Sequence, residues 1–104
     1  MNYNSPMFEI IQSDEFMQWA AKLKDRRAEA RIAARLRRAE EGNLGDHKPL
    51  RDGVSEMRID VGAGYRLYFT RRGNTVLVLL CGGDKRTQEA DIKRAIALAR
   101  AWKE

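Results

Sequence analysis

The sequence predicts an α+β domain in the order β-α-α-β-β-β-α, with a helical hairpin and a C-terminal helix packed on a twisted, mainly antiparallel sheet. Two observations predict it. Apolar residues recur at helical spacing in the first half and at the end of the chain, whereas the segment between them alternates apolar and polar residues and is divided by short glycine turns. A length of 104 residues suits one domain, which we place at residues 7–102, with residues 1–6 as an N-terminal tail.

The first half of the chain predicts one strand and two helices. Residues 7–12 (MFEIIQ) are largely apolar and predict the first strand, and Ser13 follows as a helix N-cap. Apolar residues spaced three and four apart give each helix one core-facing stripe, with a break near Asp25 and an end at Gly42. Residues 43–53 contain Gly, Asp, Asn and Pro without periodicity and therefore predict a loop.

The second half predicts a three-stranded meander and a last helix. Apolar residues alternate with polar ones in the first of these strands, and two short glycine turns connect it to the next two. Gly82 and Gly83 are expected to end the meander. The predicted segments are residues 57–61, 65–70 and 75–81 for the strands and about 87–102 for the helix.

Charge and cysteine usage narrow the class of protein. A net charge of +5 favours a polyanionic partner, either nucleic acid or an acidic protein. Cys81 is the single cysteine, so no intramolecular disulfide forms, and no Cys/His cluster predicts a metal site. No apolar stretch approaches the roughly 20 residues that cross a bilayer, and no secretory signal is visible. We expect a cytoplasmic protein with no cofactor, no metal and no membrane partner.

Three strings in one order carry a resemblance to a known family. They are SEMRID at residues 55–60, GYRLYF at residues 64–69 and CGGDKRTQ at residues 81–88. Together with the predicted element order, they resemble the RelE/ParE toxin superfamily, and within it the HigB-like, phage-derived addiction module killer proteins. The resemblance covers about residues 7–102.

The resemblance implies the toxin of a type II toxin–antitoxin system, a metal-independent endoribonuclease that cuts messenger RNA on the ribosome and inhibits translation. It also implies a cognate helix-turn-helix antitoxin as partner, beside the ribosome and mRNA. Two alternatives stay open: a ParE-like toxin that poisons DNA gyrase, and an RNA-binding module without enzymatic activity. The basic residues of the resembling motifs favour the ribonuclease.

By the resemblance, the catalytic positions are Arg58, Arg66, Lys85 and Arg86. The alternation of each strand directs Arg58 and Arg66 away from the core, and neighbouring antiparallel strands bring them close. We expect the two guanidinium groups to hold one RNA phosphate, with Lys85 and Arg86 beside them at a strand-to-helix junction. The alternative for each is a solvated basic residue, bound at most in a surface salt bridge. At the place of a second lysine in well-known RelE proteins this chain has Asp60.

Further candidates lie outside these positions. His47 is a candidate general acid or base, because imidazole is the side chain that most often transfers protons in enzymes. The alternative is an exposed loop residue. Tyr65 is expected either to stack on an RNA base or to pack under the helices, and Gln88 to assist at the same end of the sheet. The basic residues of the second helix form either a solvated face or a contact with ribosomal RNA phosphates. The representatives of this surface are Arg31, Arg35 and Arg38.

Overall fold

A computed structural model describes residues 7–103, so the N-terminal tail predicted at residues 1–6 lies outside the described residues. None of the helices in this part of the chain is long and apolar enough to cross a membrane. The elements are β1 (Glu9–Gln12), α1 (Asp14–Ala21), α2 (Arg26–Glu40), β2 (His47–Pro49), β3 (Val54–Ile59), β4 (Tyr65–Arg72), β5 (Val76–Asp84), a 3-10 turn (Lys85–Thr87) and α3 (Gln88–Ala101).

The strands form one sheet in the order β1-β5-β4-β3-β2. β1 runs parallel to β5, and the other neighbouring strands are antiparallel. The α1–α2 hairpin covers one face, which we call the hairpin face, and α3 covers the other, which we call the α3 face. The prediction of an α+β fold with a helical hairpin and a C-terminal helix on a mainly antiparallel sheet is confirmed.

The two faces divide the core between them. Met57 and Leu67 belong to the cluster beneath α1 and α2, whereas Tyr68 and Leu80 belong to the cluster beneath α3. Because both faces are covered, the central strands bury residues on both sides. Helix α3 packs mainly on β5 and β4. Its first residue, Gln88, lies at the end of the sheet where β3 finishes and β4 begins.

Helices α1 and α2 each begin after an N-cap side chain, at the positions that the sequence predicts. Ser13 caps α1, with its Oγ accepting the amide of Phe16 at 3.0 Å. The same hydroxyl donates to the carbonyl of Leu80 at 2.7 Å, so the cap also ties α1 to β5. Asp25 caps α2 by accepting the amide of Ala28 at 3.1 Å, and this carboxylate marks the break between the two helices.

Replacing Ser13 with alanine is expected to lower the free energy of unfolding by roughly 1–2 kcal/mol, because the helix loses its N-cap and the Leu80 carbonyl loses its donor. Urea denaturation measures the change. Gln12→Ala, at the exposed neighbouring position, is the control and is expected to change stability by less than about 0.5 kcal/mol. Equal effects in the two variants would contradict the capping role.

Two predictions about the sheet are corrected. The segment predicted as a loop contains β2, which pairs with β3 through the register His47↔Met57 to Pro49↔Ser55. All three β2 residues are exposed at the sheet edge, so no apolar alternation marks the strand, and an edge position tolerates proline. Gly82 and Gly83 do not end β5 but lie within it.

The glycines are required for close packing rather than for a turn. A Cβ atom on Gly82 would overlap the indole ring of Trp19, and one on Gly83 would overlap the carboxylate of Asp91. Glycine inside a strand often marks such an approach. The strand therefore continues to Asp84 and leads directly into Lys85.

Candidate functional site

An open pocket of about 200 Å³ lies at the end of the sheet near the start of α3. Three cations and two carboxylates line it, giving a net charge of +1. Arg58 comes from the end of β3, Arg66 from the start of β4, and Lys85 from the turn after β5. We call this the cationic pocket, and its lining residues are Asp46, Arg58, Asp60, Arg66 and Lys85.

The antiparallel register places Arg58 directly opposite Arg66. The amide of Arg58 donates to Asp46 of the chain entering β2, and therefore points away from β4. In such a non-hydrogen-bonded pair the Cα atoms lie roughly 4.5 Å apart and the side chains stand close together. The prediction that these two residues, the arginine pair, occupy one face of neighbouring strands is confirmed, and Lys85 lines the same pocket.

Two like charges directly opposite one another destabilise a sheet unless other groups neutralise them. Here each arginine has its own carboxylate. Arg58 donates to Asp46 Oδ1 from Nη2 at 3.0 Å and from Nε at 3.3 Å. Both partners are accessible, with side-chain exposures of 39% and 53%. This exposed pair can open at little cost, because water screens both charges.

Arg66 has a buried partner that the sequence prediction missed. Its Nε lies 3.7 Å from Oε1 of Glu56, whose side chain is only 1% exposed. Gln88 donates its amide to the same oxygen at 3.2 Å. Alternation assigns Glu56 to a solvent-facing side. The sequence does hold a sign that this side is buried, because the apolar residues Val54 and Tyr68 lie on the same side of the sheet as Glu56.

Lys85 and Arg86 separate from one another. The stem of Lys85 runs beside Gly64, where an added Cβ would lie 2.7 Å from Lys85 Cε. Arg86 is exposed and bonds Asp84 through its Nη2 at 3.0 Å and through its backbone amide at 2.9 Å. The Arg86 side chain, followed by its amide, lowers the pKa of Asp84. Arg86 is therefore not among the residues that line the cationic pocket.

The structure separates His47 from the arginine pair. His47 lies opposite Met57, whose side chain belongs to the core of the hairpin face. Its ring centroid is 6.4 Å from that of Phe69 on the same face. The arginine pair lies on the α3 face, so the sheet stands between the imidazole and both guanidinium groups. The structure therefore does not bring His47 to the arginine pair, and its role as a general acid or base stays a prediction.

The predicted RNA-binding residues also divide. Arg31 and Arg38 are exposed on α2, as a phosphate-binding surface requires. Arg35 instead bonds three backbone carbonyls, those of Arg58 at 2.5 Å, Leu44 at 3.1 Å and Asp46 at 3.0 Å. Burial, then the charge of Arg38, lowers the pKa of Arg35, and Asp46 opposes the shift. The guanidinium group of Arg35 therefore holds the loop beside the cationic pocket, and its contact with RNA stays a prediction.

Tyr65 packs under the helical hairpin. Its ring lies edge-on to Trp19 with centroids 6.2 Å apart, and its hydroxyl donates to Asp25 at 3.4 Å. Burial, followed by the charge of Asp25, raises the pKa of this phenol. Of the two alternatives for Tyr65, the structure therefore supports packing. Gln88 does reach the predicted end of the sheet, where it contacts Glu56.

Cys81 lies beneath α3, where its thiol donates to the carbonyl of Asp91 at 3.6 Å. Burial, reinforced by the charge of Asp91, raises the pKa of the thiol to about 12. We expect iodoacetamide at pH 8 to alkylate Cys81 roughly 100-fold or more slowly in the folded protein than in urea, because the thiolate is the reactive form. Mass spectrometry of timed samples measures both rates, and equal rates would contradict the burial.

Among residues 7–103, no group of three or more His, Cys, Asp or Glu side chains is placed to hold a metal ion.

Comparison with known proteins places the chain in a family. Residues 18–104 match the family described as "Phage derived protein Gp49-like (DUF891)". A Haemophilus influenzae relative, described as "Uncharacterized protein", is 51% identical over 84 residues, which are 81% of this chain and 85% of the relative. No solved structure matches significantly. Since the family match covers most of the chain, including β2–β5 and α3, the protein belongs to the Gp49-like family of phage-derived proteins.

Proposed function

We propose that this protein is the toxin of a type II toxin–antitoxin system and that it cleaves messenger RNA on the ribosome. Membership of a phage-derived family is compatible with an addiction-module killer protein of the RelE/HigB kind. The observation that carries the ribonuclease proposal is the arginine pair, directly opposed on β3 and β4 and joined by Lys85 in one open pocket.

The cationic pocket suits one phosphodiester. Three cationic side chains line it and converge on a space that an anionic group can enter. An arginine presents parallel N–H donors that bind two phosphoryl oxygens at once. As the ribose 2′-hydroxyl attacks the adjacent phosphorus, negative charge grows on the phosphoryl oxygens and then on the leaving 5′-oxygen. Fixed cations stabilise that charge without reorganising at the moment of reaction.

The two arginines have different tasks in this proposal. Arg58 releases the exposed carboxylate of Asp46 and takes a phosphoryl oxygen in its place. Arg66 keeps its buried carboxylate and presents its remaining N–H groups to the pocket. Lys85 adds a point charge at the third side. Substrate binding thus replaces a weak, solvated ion pair with a charge-assisted contact.

The exposed arginines of α2 supply the wider RNA contact. Arg31 and Arg38 lie on the solvent side of the helix and would bind ribosomal RNA phosphates. Each phosphate contact releases counterions, so activity should fall steeply as salt rises. The proposed partners are the ribosome with its mRNA, a cytoplasmic target, and, from the resemblance to addiction-module proteins, an antitoxin of the helix-turn-helix class. Rescue of growth by the product of an adjacent reading frame tests the antitoxin.

In vitro translation followed by primer extension tests the ribonuclease. The wild-type protein is expected to produce mRNA cuts that depend on ribosomes, and Lys85→Ala to reduce the cutting rate roughly 10- to 100-fold. Arg100→Ala removes a cation at the far end of α3, where it pairs with Asp52, and is expected to cut normally. Intact mRNA with inhibited gyrase would support the ParE-like alternative and overturn the proposal. RNA binding without cuts would overturn it in favour of a non-enzymatic module.

A further inference from the structure

Glu56 is the one charged residue among residues 7–103 that is fully buried. It lies on β3 opposite Tyr68 and beneath the start of α3. Removing a carboxylate from water is strongly unfavourable in general, and only a close cation with further hydrogen bonds offsets it. An uncharged residue would serve packing at this position at least as well. The burial of this charge therefore calls for an explanation in the pocket beside it.

Two side chains approach the same oxygen of Glu56, one through a hydrogen bond and the other as an ion pair. Gln88 donates to Oε1 at 3.2 Å, and Nε of Arg66 lies 3.7 Å from that atom. Arg66 Nε is itself buried, has no hydrogen-bond partner among the described residues, and forms an ion pair with this carboxylate. The link joins α3, β3 and β4 at one point.

The geometry also orients Arg66. A guanidinium group is planar and rigid, so fixing one edge fixes the direction of the others. Its Nε edge faces Glu56, and its Nη1 donates weakly to the carbonyl of Tyr65 at 3.4 Å. Arg66 remains 12% exposed and lines the cationic pocket. The rest of the guanidinium group is therefore held at the pocket that Arg58 and Lys85 also line.

We propose that Glu56 is a positioning residue: its buried carboxylate fixes the orientation of Arg66 and reduces the repulsion between the two facing arginines. Gln88 in turn fixes the carboxylate. The inference rests on the proposed ribonuclease function, in which Arg66 contacts the phosphate and Glu56 acts only through Arg66. An arginine free to change rotamer would reach the transition state less often, and small misplacements in such sites are known to reduce rates strongly.

Glu56→Gln tests the proposal, because it removes the charge while keeping the volume. We expect the maximal cleavage rate at saturating ribosomes to fall roughly 10- to 100-fold with little change in the ribosome concentration for half-maximal rate. Thr70→Val is the matched control. It removes a buried hydrogen bond to Gly53 on the same face of β4 and is expected to lower stability without changing the rate per folded molecule. An unchanged maximal rate in Glu56→Gln would overturn the proposal.

A second readout separates this proposal from the ribonuclease itself. NMR follows the Nε–H proton of Arg66. In the wild-type protein this proton should exchange slowly with water, and in Glu56→Gln its resonance should shift and the proton should exchange faster. If the wild-type protein cuts no mRNA, the proposed function fails, but the resonance still tests the positioning. Unchanged exchange would overturn it. If Glu56→Gln fails to fold, Gln88→Leu takes its place. This variant keeps the Glu56 side chain but removes the hydrogen bond that fixes its carboxylate. An unchanged cleavage rate together with an unchanged Arg66 Nε–H resonance in Gln88→Leu would overturn the proposal.

Discussion

Replacing Arg66 with alanine is expected to abolish detectable RNA cleavage and to destabilise the fold at the same time. Loss of one transition-state donor reduces catalytic rates by about 100- to 1000-fold. The variant also leaves Glu56 buried without its cation, which is unfavourable by roughly 3 kcal/mol, the lower end for broken buried pairs. We take the lower end because Arg66 borders an open pocket that admits water. Urea denaturation and primer extension measure the two effects separately.

Arg58→Ala is the matched comparison, because it removes the same group from the facing position. It is expected to reduce cleavage comparably but to change stability by less than about 1 kcal/mol, since its ion pair with Asp46 is exposed. A double-mutant cycle with Glu56→Gln should show coupling to Arg66 and little to Arg58. Equal losses of stability in the two arginine variants would show that the buried pair of Arg66 with Glu56 stabilises the fold no more than the exposed pair of Arg58 with Asp46.

Replacing Arg35 with methionine is expected to have the largest effect outside the cationic pocket. The variant keeps an unbranched apolar stem but removes three hydrogen bonds to the carbonyls of Leu44, Asp46 and Arg58. Bonds that involve a charged donor contribute about 1.5–3 kcal/mol each when measured singly. Because the three share one side chain and lie near solvent, we expect a combined loss of roughly 3 kcal/mol.

The same substitution should also slow RNA cleavage, because it releases the backbone of Arg58 and the loop that carries Asp46. Arg31→Met, one turn earlier on the exposed side of α2, is the control for stability and should change it by less than about 0.5 kcal/mol. Thermal unfolding followed by circular dichroism measures both variants. Similar unfolding temperatures for the two would show that the carbonyl contacts of Arg35 contribute little.

Local chemistry made most of the fold predictable. Ser13 and Asp25 start helices for reasons contained within four residues, since each side chain accepts an amide three residues ahead. Alternation placed Arg58 and Arg66 on one face, and consecutive antiparallel strands made them neighbours. These features depend on sequence spacing of a few residues, which is the range over which periodicity and capping rules operate.

Features that depend on distant parts of the chain could not be predicted in the same way. A pair of glycines in sequence is typical of a strand end. The reason that Gly82 and Gly83 lie inside β5, the close approach of Trp19 and Asp91, is visible only in the folded protein. Glu56 resembles a solvated residue until α3 is placed over it. The face on which His47 lies depends on the register of β2, a strand that the sequence did not predict. A shift of one residue in that register would move the side chain to the opposite face.

The parallel pairing of β1 with β5 has a consequence for biosynthesis. The register joins Glu9–Gln12 to Val76–Leu79, so the first strand to leave the ribosome must wait for the last strand before it has a neighbour. Pairing across such a separation is slow, because the intervening chain must be ordered first. A translating ribosome would therefore carry this chain without a completed sheet until β5 has been synthesised, which delays the assembly of the cationic pocket beside the machine that we propose it attacks.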